Sequence, residues 1–176
     1  MPTEVKRSSI PNSGNGRFAK TFIKKGTVLV KSPLINVYSD NIFDYDKAIV
    51  IRNVDELNHL ISRYQQEFKS LSKDDILKDL RHFVANQIDG KFATLLCSNA
   101  HTNHSLLNEN YIARIENNCW FGIATKDIKA GEEILQDYRT IRVKKDIDQY
   151  FKSYGLQTVN PFIDQIEKEV ALKSKL

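Results

Sequence analysis

The chain has 176 residues, 41% apolar and 27% charged, which suits one domain with a proper core. Its formal charge of +4 is modest, and acidic residues interleave with lysines almost everywhere, which argues against direct nucleic-acid binding as the main task. No apolar run approaches the roughly 18 residues that cross a bilayer. The start MPTEVKRSSIPNSG lacks the apolar core of a secretory signal, and two cysteines, Cys97 and Cys119, are too few for a disulfide framework or a four-thiolate zinc site. An intracellular protein with no membrane partner and two reduced thiols is expected.

The first third reads as strands and turns. Ser13-Gly14-Asn15-Gly16 is a flexible turn, because glycine takes positive φ at no steric cost. Phe18 to Ile23 and Thr27 to Val30 are short β-prone runs around Lys25-Gly26. The period then changes. Apolar residues at Leu57, Leu60, Ile61, Tyr64, Phe68 and Leu71 predict one helical face. Ser72 is an N-cap with Asp75 three residues on, and a second stripe runs through Ile76, Leu77, Leu80, Phe83 and Val84. After Gly90 strands return, and LNENYIARIENNCWFGIAT folds into a hairpin at Asn117-Asn118. Beyond Tyr138, RTIRVKKDIDQYFKSYGLQ predicts a helix with Tyr150, Phe151 and Tyr154 near one side, and EKEVALKSKL is a polar, helix-prone tail expected to fray.

One stretch is written twice. FAKTFIKKGTVL (Phe18 to Leu29) and IATKDIKAGEEI (Ile123 to Ile134) align without a gap, sharing Ala19/Ala124, Ile23/Ile128, Lys24/Lys129 and Gly26/Gly131. Each is a strand–turn–strand unit.

GNGRFA (Gly14 to Ala19), TNHS (Thr102 to Ser105), IKAGEEI (Ile128 to Ile134) and Asp137-Tyr138 are each weak signals alone. In this order and spacing they resemble the SET domain of protein lysine methyltransferases, over about residues 8–140. The resemblance implies a mainly β fold with an α insert (α+β), made of several small antiparallel sheets with a pseudoknot-like threading of the C-terminal segment. The domain would span 8–140, with a helical insert at about 40–90, followed by a helical segment, 141–176, that closes the lysine channel. The duplicated stretch is then architecture, since SET folds carry comparable Ile-x-x-Gly segments in both halves.

The same resemblance implies S-adenosylmethionine as cofactor and a protein substrate presenting a lysine. Tyr138 takes the catalytic position near the sulfonium and target amine. Gly14, Asn15, Gly16, Arg17, Phe18, Asn103 and His104, with Tyr138, would hold the cofactor. Arg17 either reaches the cofactor carboxylate or points to solvent, and Phe18 is either core or contact. Tyr38, Tyr150, Phe151 and Tyr154 are candidates to line the substrate channel, the last three equally readable as a helix anchored to the core. No metal is expected, because the family's three-cysteine tail is missing.

Two departures stand out. Where the family follows Asn-His-Ser with Cys-x-Pro-Asn, this chain reads Leu106-Leu107-Asn108-Glu109-Asn110, and a gapless count puts Ser32 where many members carry a second channel tyrosine. These keep two alternatives open: a catalytically silent SET-fold protein-binding module, and methylation of a non-protein amine. Compact SET proteins occur in bacteria and viruses, so the compartment would be the cytoplasm in the first case and the host cell or nucleus in the second.

Overall fold

The computed structural model describes residues 2–44, 46–86, 93–96 and 102–173; Cys97 lies outside them. In chain order the elements are β1 (Thr3–Arg7), β2 (Asn15–Ala19), β3 (Val28–Asn36), β4 (Ala48–Ile51), α1 (Val54–Glu67), α2 (Lys73–Leu80), β5 (Val84–Asn86), β6 (Ala93–Leu96), β7 (Asn103–His104), β8 (Tyr111–Glu116), β9 (Cys119–Ala124), β10 (Leu135–Gln136), α3 (Lys145–Ser153) and α4 (Asn160–Lys173), with a 3-10 turn at Tyr138–Ile141. The chain divides into two compact units, Met1–Pro33 with Ser98–Tyr138, and Leu34–Cys97 with Arg139–Leu176. The expected insert and the C-terminal segment thus fall in one unit.

In the first unit β1 and β2 form an antiparallel ribbon, Thr3↔Ala19 to Arg7↔Asn15. The sequence reading missed β1 and placed Asn15-Gly16 in a turn. Four of the five residues of TEVKR are exposed, so the strand has no apolar alternation to betray it. The chain reverses over Ser8 to Gly14, where the Ser8 N–H donates to the Gly14 carbonyl at 3.0 Å. The remaining strands run in the order β3, β9, β8, β10, β7. Asn117 and Asn118 adopt φ of 49° and 54°, the paired left-handed conformation that joins β8 to β9 in a tight hairpin, as their identity predicts. Strand β10 is parallel to both β7 and β8 and lies between them, so a late segment is inserted between two earlier strands.

The duplicated stretches pair with each other. Ile23 and Ile128, equivalent positions of the two copies, exchange both backbone hydrogen bonds, at 2.9 and 2.8 Å. Ala19 N–H donates to the Glu132 carbonyl at 2.9 Å, and its counterpart Ala124 N–H donates to Thr27 at 3.0 Å. Gly131 N–H to Ala19 and Gly26 N–H to Ala124 are again counterparts, both at 2.8 Å. A local two-fold axis therefore passes through the Ile23–Ile128 bridge, and the chain says the same thing twice because each copy is the other's strand partner. Gly26 and Gly131 share the left-handed φ, 85° and 84°, each in open space. Gly26→Ala and Gly131→Ala are therefore expected to lose similar stability, about 1–2 kcal/mol each. Denaturant midpoints differing by more than that amount would break the symmetry argument.

In the second unit β4 contributes Ala48, Ile49, Val50 and Ile51, all buried, and pairs parallel with the second half of β3 and antiparallel with β6. Residues 40–90 are thus not purely helical as expected. A short continuous apolar run is a strand buried on both faces, and helical periodicity does not detect it. Helix α1 is capped by Asn53, whose side chain accepts the Glu56 N–H at 2.9 Å. Helix α2 opens with the predicted box: Asp75 N–H donates to Ser72 Oγ at 3.2 Å and Ser72 N–H to the Asp75 carboxylate at 3.3 Å. The helices end at Glu67 and Leu80, so Phe68 and Leu71 lie in the connection and Val84 opens β5.

The helix-prone tail is helical through Lys173, as the end of α4. Ile163 and Ile166 are buried, and Arg142 donates to Asp164 at 2.7 Å and Glu167 at 3.0 Å. Asn160 brackets Val143 with both side-chain atoms, accepting its N–H at 2.7 Å and donating to its carbonyl at 2.9 Å. This pins the start of α4, because a buried amide is stable only with its partners made.

Candidate active site

The first unit gathers pieces far apart in the sequence. Strand β2 places Gly16 so that a Cβ would lie 2.0 Å from Glu133 Oε1 and 3.1 Å from Asn103 Nδ2. Only glycine leaves room for that carboxylate. Glu133 is buried and accepts from Ser8 Oγ at 2.8 and 3.0 Å, Ser9 Oγ at 3.1 Å, Ser9 N–H at 3.4 Å and Asn103 Nδ2 at 2.7 Å. The Asn103 amide also donates to the Asn15 carbonyl at 3.2 Å. Asn15, Asn103 and Glu133 are therefore one hydrogen-bonded cluster, packed against Gly16.

A second cluster continues from it. β7 and β10 align Asn103 with Leu135 and His104 with Gln136. Tyr138 follows β10 directly, and its N–H donates to His104 Nδ1 at 3.1 Å, which leaves the neutral imidazole's proton on Nε2. The two rings lie 5.3 Å apart. The Tyr138 hydroxyl donates to the Thr102 carbonyl at 2.6 Å. Burial first, and the charge of Glu133 second, push this phenol up to about 12. It is neutral at physiological pH, a fixed dipole and not a base.

Arg17 is half-buried and donates to Thr3 Oγ1 across the ribbon at 3.0 Å, so its guanidinium does not simply point to solvent. Burial lowers its pKa from the ordinary arginine value, with Tyr111 opposing. Phe18 is core: it is buried, bridges Glu133, and carries the Lys6 ammonium 4.5 Å above its ring. Gly14 holds φ of 68° with open space where a Cβ would sit.

Tyr38, Tyr150, Phe151 and Tyr154 belong to the second unit. Tyr38 is 59% exposed, with its ring 4.6 Å from His59. Phe151 is wholly buried in the cluster that includes Leu57, Leu60, Ile61, Leu77 and Ile147. Tyr150 hydrogen-bonds Asn58, and Tyr154 accepts from Lys73 Nζ at 2.7 Å. Lys73 also lies over both tyrosine rings, at 5.6 and 4.8 Å. Ser32 is buried opposite Trp120.

Two contributors went unrecognised in the sequence. Glu133 was read only as part of a Gly-Glu-Glu bend. Its neighbour Glu132 fits that reading, exposed and accepting the Lys129 N–H at 2.9 Å, but Glu133 turns inward against the glycine of the other strand. Asn110, read only as part of the altered turn, is buried; it donates to the Glu133 carbonyl and accepts the Leu135 N–H, both at 2.9 Å. It thereby fixes the approach to β10. Among the described residues no group of three or more His, Cys, Asp or Glu is arranged to hold a metal.

The SET domain family profile matches residues 14–139. No curated protein matches the sequence. Among solved structures, a candidate histone methyltransferase from Plasmodium falciparum is 19% identical, with 78% of this chain and 92% of that one covered and a TM-score of 0.46. A SET8 protein from Cryptosporidium is 17% identical, covering 77% and 56%, at 0.47. The apo Polycomb Repressive Complex 2 of Chaetomium thermophilum, in an autoinhibited state, is 17% identical over 86% of this chain at 0.51. This chain spans only 17% of the complex's matched chain. With the profile covering well over half its length, the chain belongs to the SET-domain family.

Proposed function

We propose that this protein transfers the methyl group of S-adenosylmethionine to the side-chain amine of a lysine on another protein. The observation that carries the reading is the junction, on a SET-family chain, of Asn15-Gly16, Asn103-His104 and Tyr138 through the Asn103–Asn15 and Tyr138–His104 hydrogen bonds. Open space beside the Gly14 backbone and the mixed set of carbonyl, amide and imidazole groups fit a cofactor that is part amino acid, part nucleoside. Gly14 to Arg17, Asn103 and His104 would hold it, and Arg17 is a cation suited to its carboxylate. When bound, it supplies an electrophilic methyl group on a sulfonium.

The protein's share is positioning and electrostatics. Near-attack geometry can lower the barrier by about 7–11 kcal/mol. The substrate lysine, with an unperturbed pKa near 10.4, must arrive neutral. Tyr138 cannot take its proton, because a phenol held up at about 12 is no base at neutral pH. The proton therefore leaves to solvent, and Tyr138 presents a fixed oxygen to developing positive charge.

Asn103→Ala is expected to weaken S-adenosylmethionine binding measured by calorimetry. Tyr138→Phe should leave that binding nearly intact while lowering transfer to a lysine peptide by about 10²–10³. The rate should rise with pH as the lysine deprotonates, with no limb from Tyr138 below its raised pKa. An unaffected Tyr138→Phe enzyme would remove Tyr138 from the chemistry. Buried Ser32 in place of a channel tyrosine, and Leu107 standing 89% exposed in the altered turn, favour a second reading as a silent binding module. Cofactor uptake with no transfer to any lysine peptide would support it, and transfer only to free small amines would point to a non-protein substrate.

A further inference from the structure

Glu133 is a carboxylate buried in the first unit with no cation among its described partners. Burying such a charge is costly unless hydrogen bonds replace its water. Its donors among the described residues come from just two places: the Ser8-Ser9 end of the reversal that leads into Gly14, and the amide of Asn103. Ser9 is an exposed residue whose hydroxyl nevertheless reaches this buried group. Ser8 in turn closes the loop on both sides, since its hydroxyl accepts the Ile10 N–H at 3.0 Å and its N–H donates to Gly14. Gly16 is the position that lets the carboxylate in.

We propose that Glu133 is a positioning residue for cofactor binding: a latch that ties the Ser8 to Gly14 loop to Asn103 and so holds the two walls of the cofactor site in register. The inference rests on the methyl-transfer reading above, and goes beyond it by giving the work to a residue that touches neither reactant. Glu133 acts through Ser8, Ser9 and Asn103. Without it the loop loses that anchor, and among its described partners the Asn103 amide keeps the Asn15 carbonyl. Tyr138, the residue placed beside the chemistry, keeps its hydrogen bonds to His104 and the Thr102 carbonyl, so affinity should suffer more than chemistry.

The test is S-adenosylmethionine calorimetry on the wild-type chain, Glu133→Gln and the Ser8→Ala/Ser9→Ala double variant, with hydrogen exchange of the loop and steady-state kinetics. Glu133→Gln is expected to weaken cofactor binding about tenfold or more, the scale of one lost charge-assisted hydrogen bond. The cofactor KM should rise in step while kcat at saturating cofactor stays within about threefold, a split that general destabilisation would not produce. The double serine variant, which keeps the carboxylate and alters exposed or half-buried hydroxyls, should weaken binding in the same direction and speed exchange across residues 8–14. Wild-type affinity in both variants overturns the latch, as does a fall in kcat with KM unchanged. A folded wild type that takes up no cofactor overturns the methyl-transfer reading itself, and the latch with it.

Discussion

Gly16→Ala is expected to destabilise the protein by about 3 kcal/mol or more and to abolish most cofactor affinity. Its Cβ would meet Glu133 Oε1 at 2.0 Å and Cδ at 2.7 Å. A clash with the tip of a long side chain is usually relieved by a rotamer change. Here the tip is tied down by Ser8, Ser9 and Asn103, and swinging away breaks hydrogen bonds to a charged group worth about 1.5–3 kcal/mol each. Gly14→Ala is the contrast: Gly14 has a left-handed φ of 68° but open space, so it should lose only the about 1–2 kcal/mol of backbone strain, whereas Gly16 has no positive φ and its loss comes from the clash. Urea unfolding of the two variants checks this. A Gly16→Ala loss no larger than that of Gly14→Ala would mean that Glu133 moves aside cheaply and that the buried carboxylate does not require the glycine at position 16.

Phe151→Ala should cost about 3–5 kcal/mol, the range for emptying a large aromatic from a closed core. Phe151 is fully buried one helical turn from Ile147, among Leu57, Leu60 and Leu77. Tyr154→Phe, on the exposed flank of the same helix, removes only the hydroxyl that accepts from Lys73 and should be close to neutral, because exposed contacts of this kind contribute little. Unfolding midpoints read both. A Phe151→Ala protein that keeps its stability but loses methyl transfer would return Phe151 to the substrate channel. The structure as it stands makes it the anchor of α3.

Much of the local structure was legible because local rules decided it. Ser72 and Asp75 sit at the spacing of a reciprocal cap, and they form one. Asn117-Asn118 tolerates two left-handed residues, and the hairpin turns there. The family was legible in Gly14-x-Gly16, Asn103-His104-Ser105 and Asp137-Tyr138, because close approach and fixed donors demand those residues in that order. What failed was whatever had no local signature. β1 is an exposed ribbon strand with charged side chains, β4 is four apolar residues too short to show a period, and α4 is held by Arg142 and Val143 from outside itself.

The sequence by itself determined the repeat, the Ser72 cap, the Asn117-Asn118 turn and the family motifs, since each piece is legible in a short window of residues. Only the tertiary structure decided what those pieces meet. The two copies of the repeat proved to be partners, with Ile23 on Ile128 at their shared axis. The second glutamate of a plain Gly-Glu-Glu bend proved to be the buried acid that fills the space Gly16 leaves. Such pairings join residues distant in the chain, and a side chain's burial, charge and partners are properties of the space around it, which no short window of sequence contains.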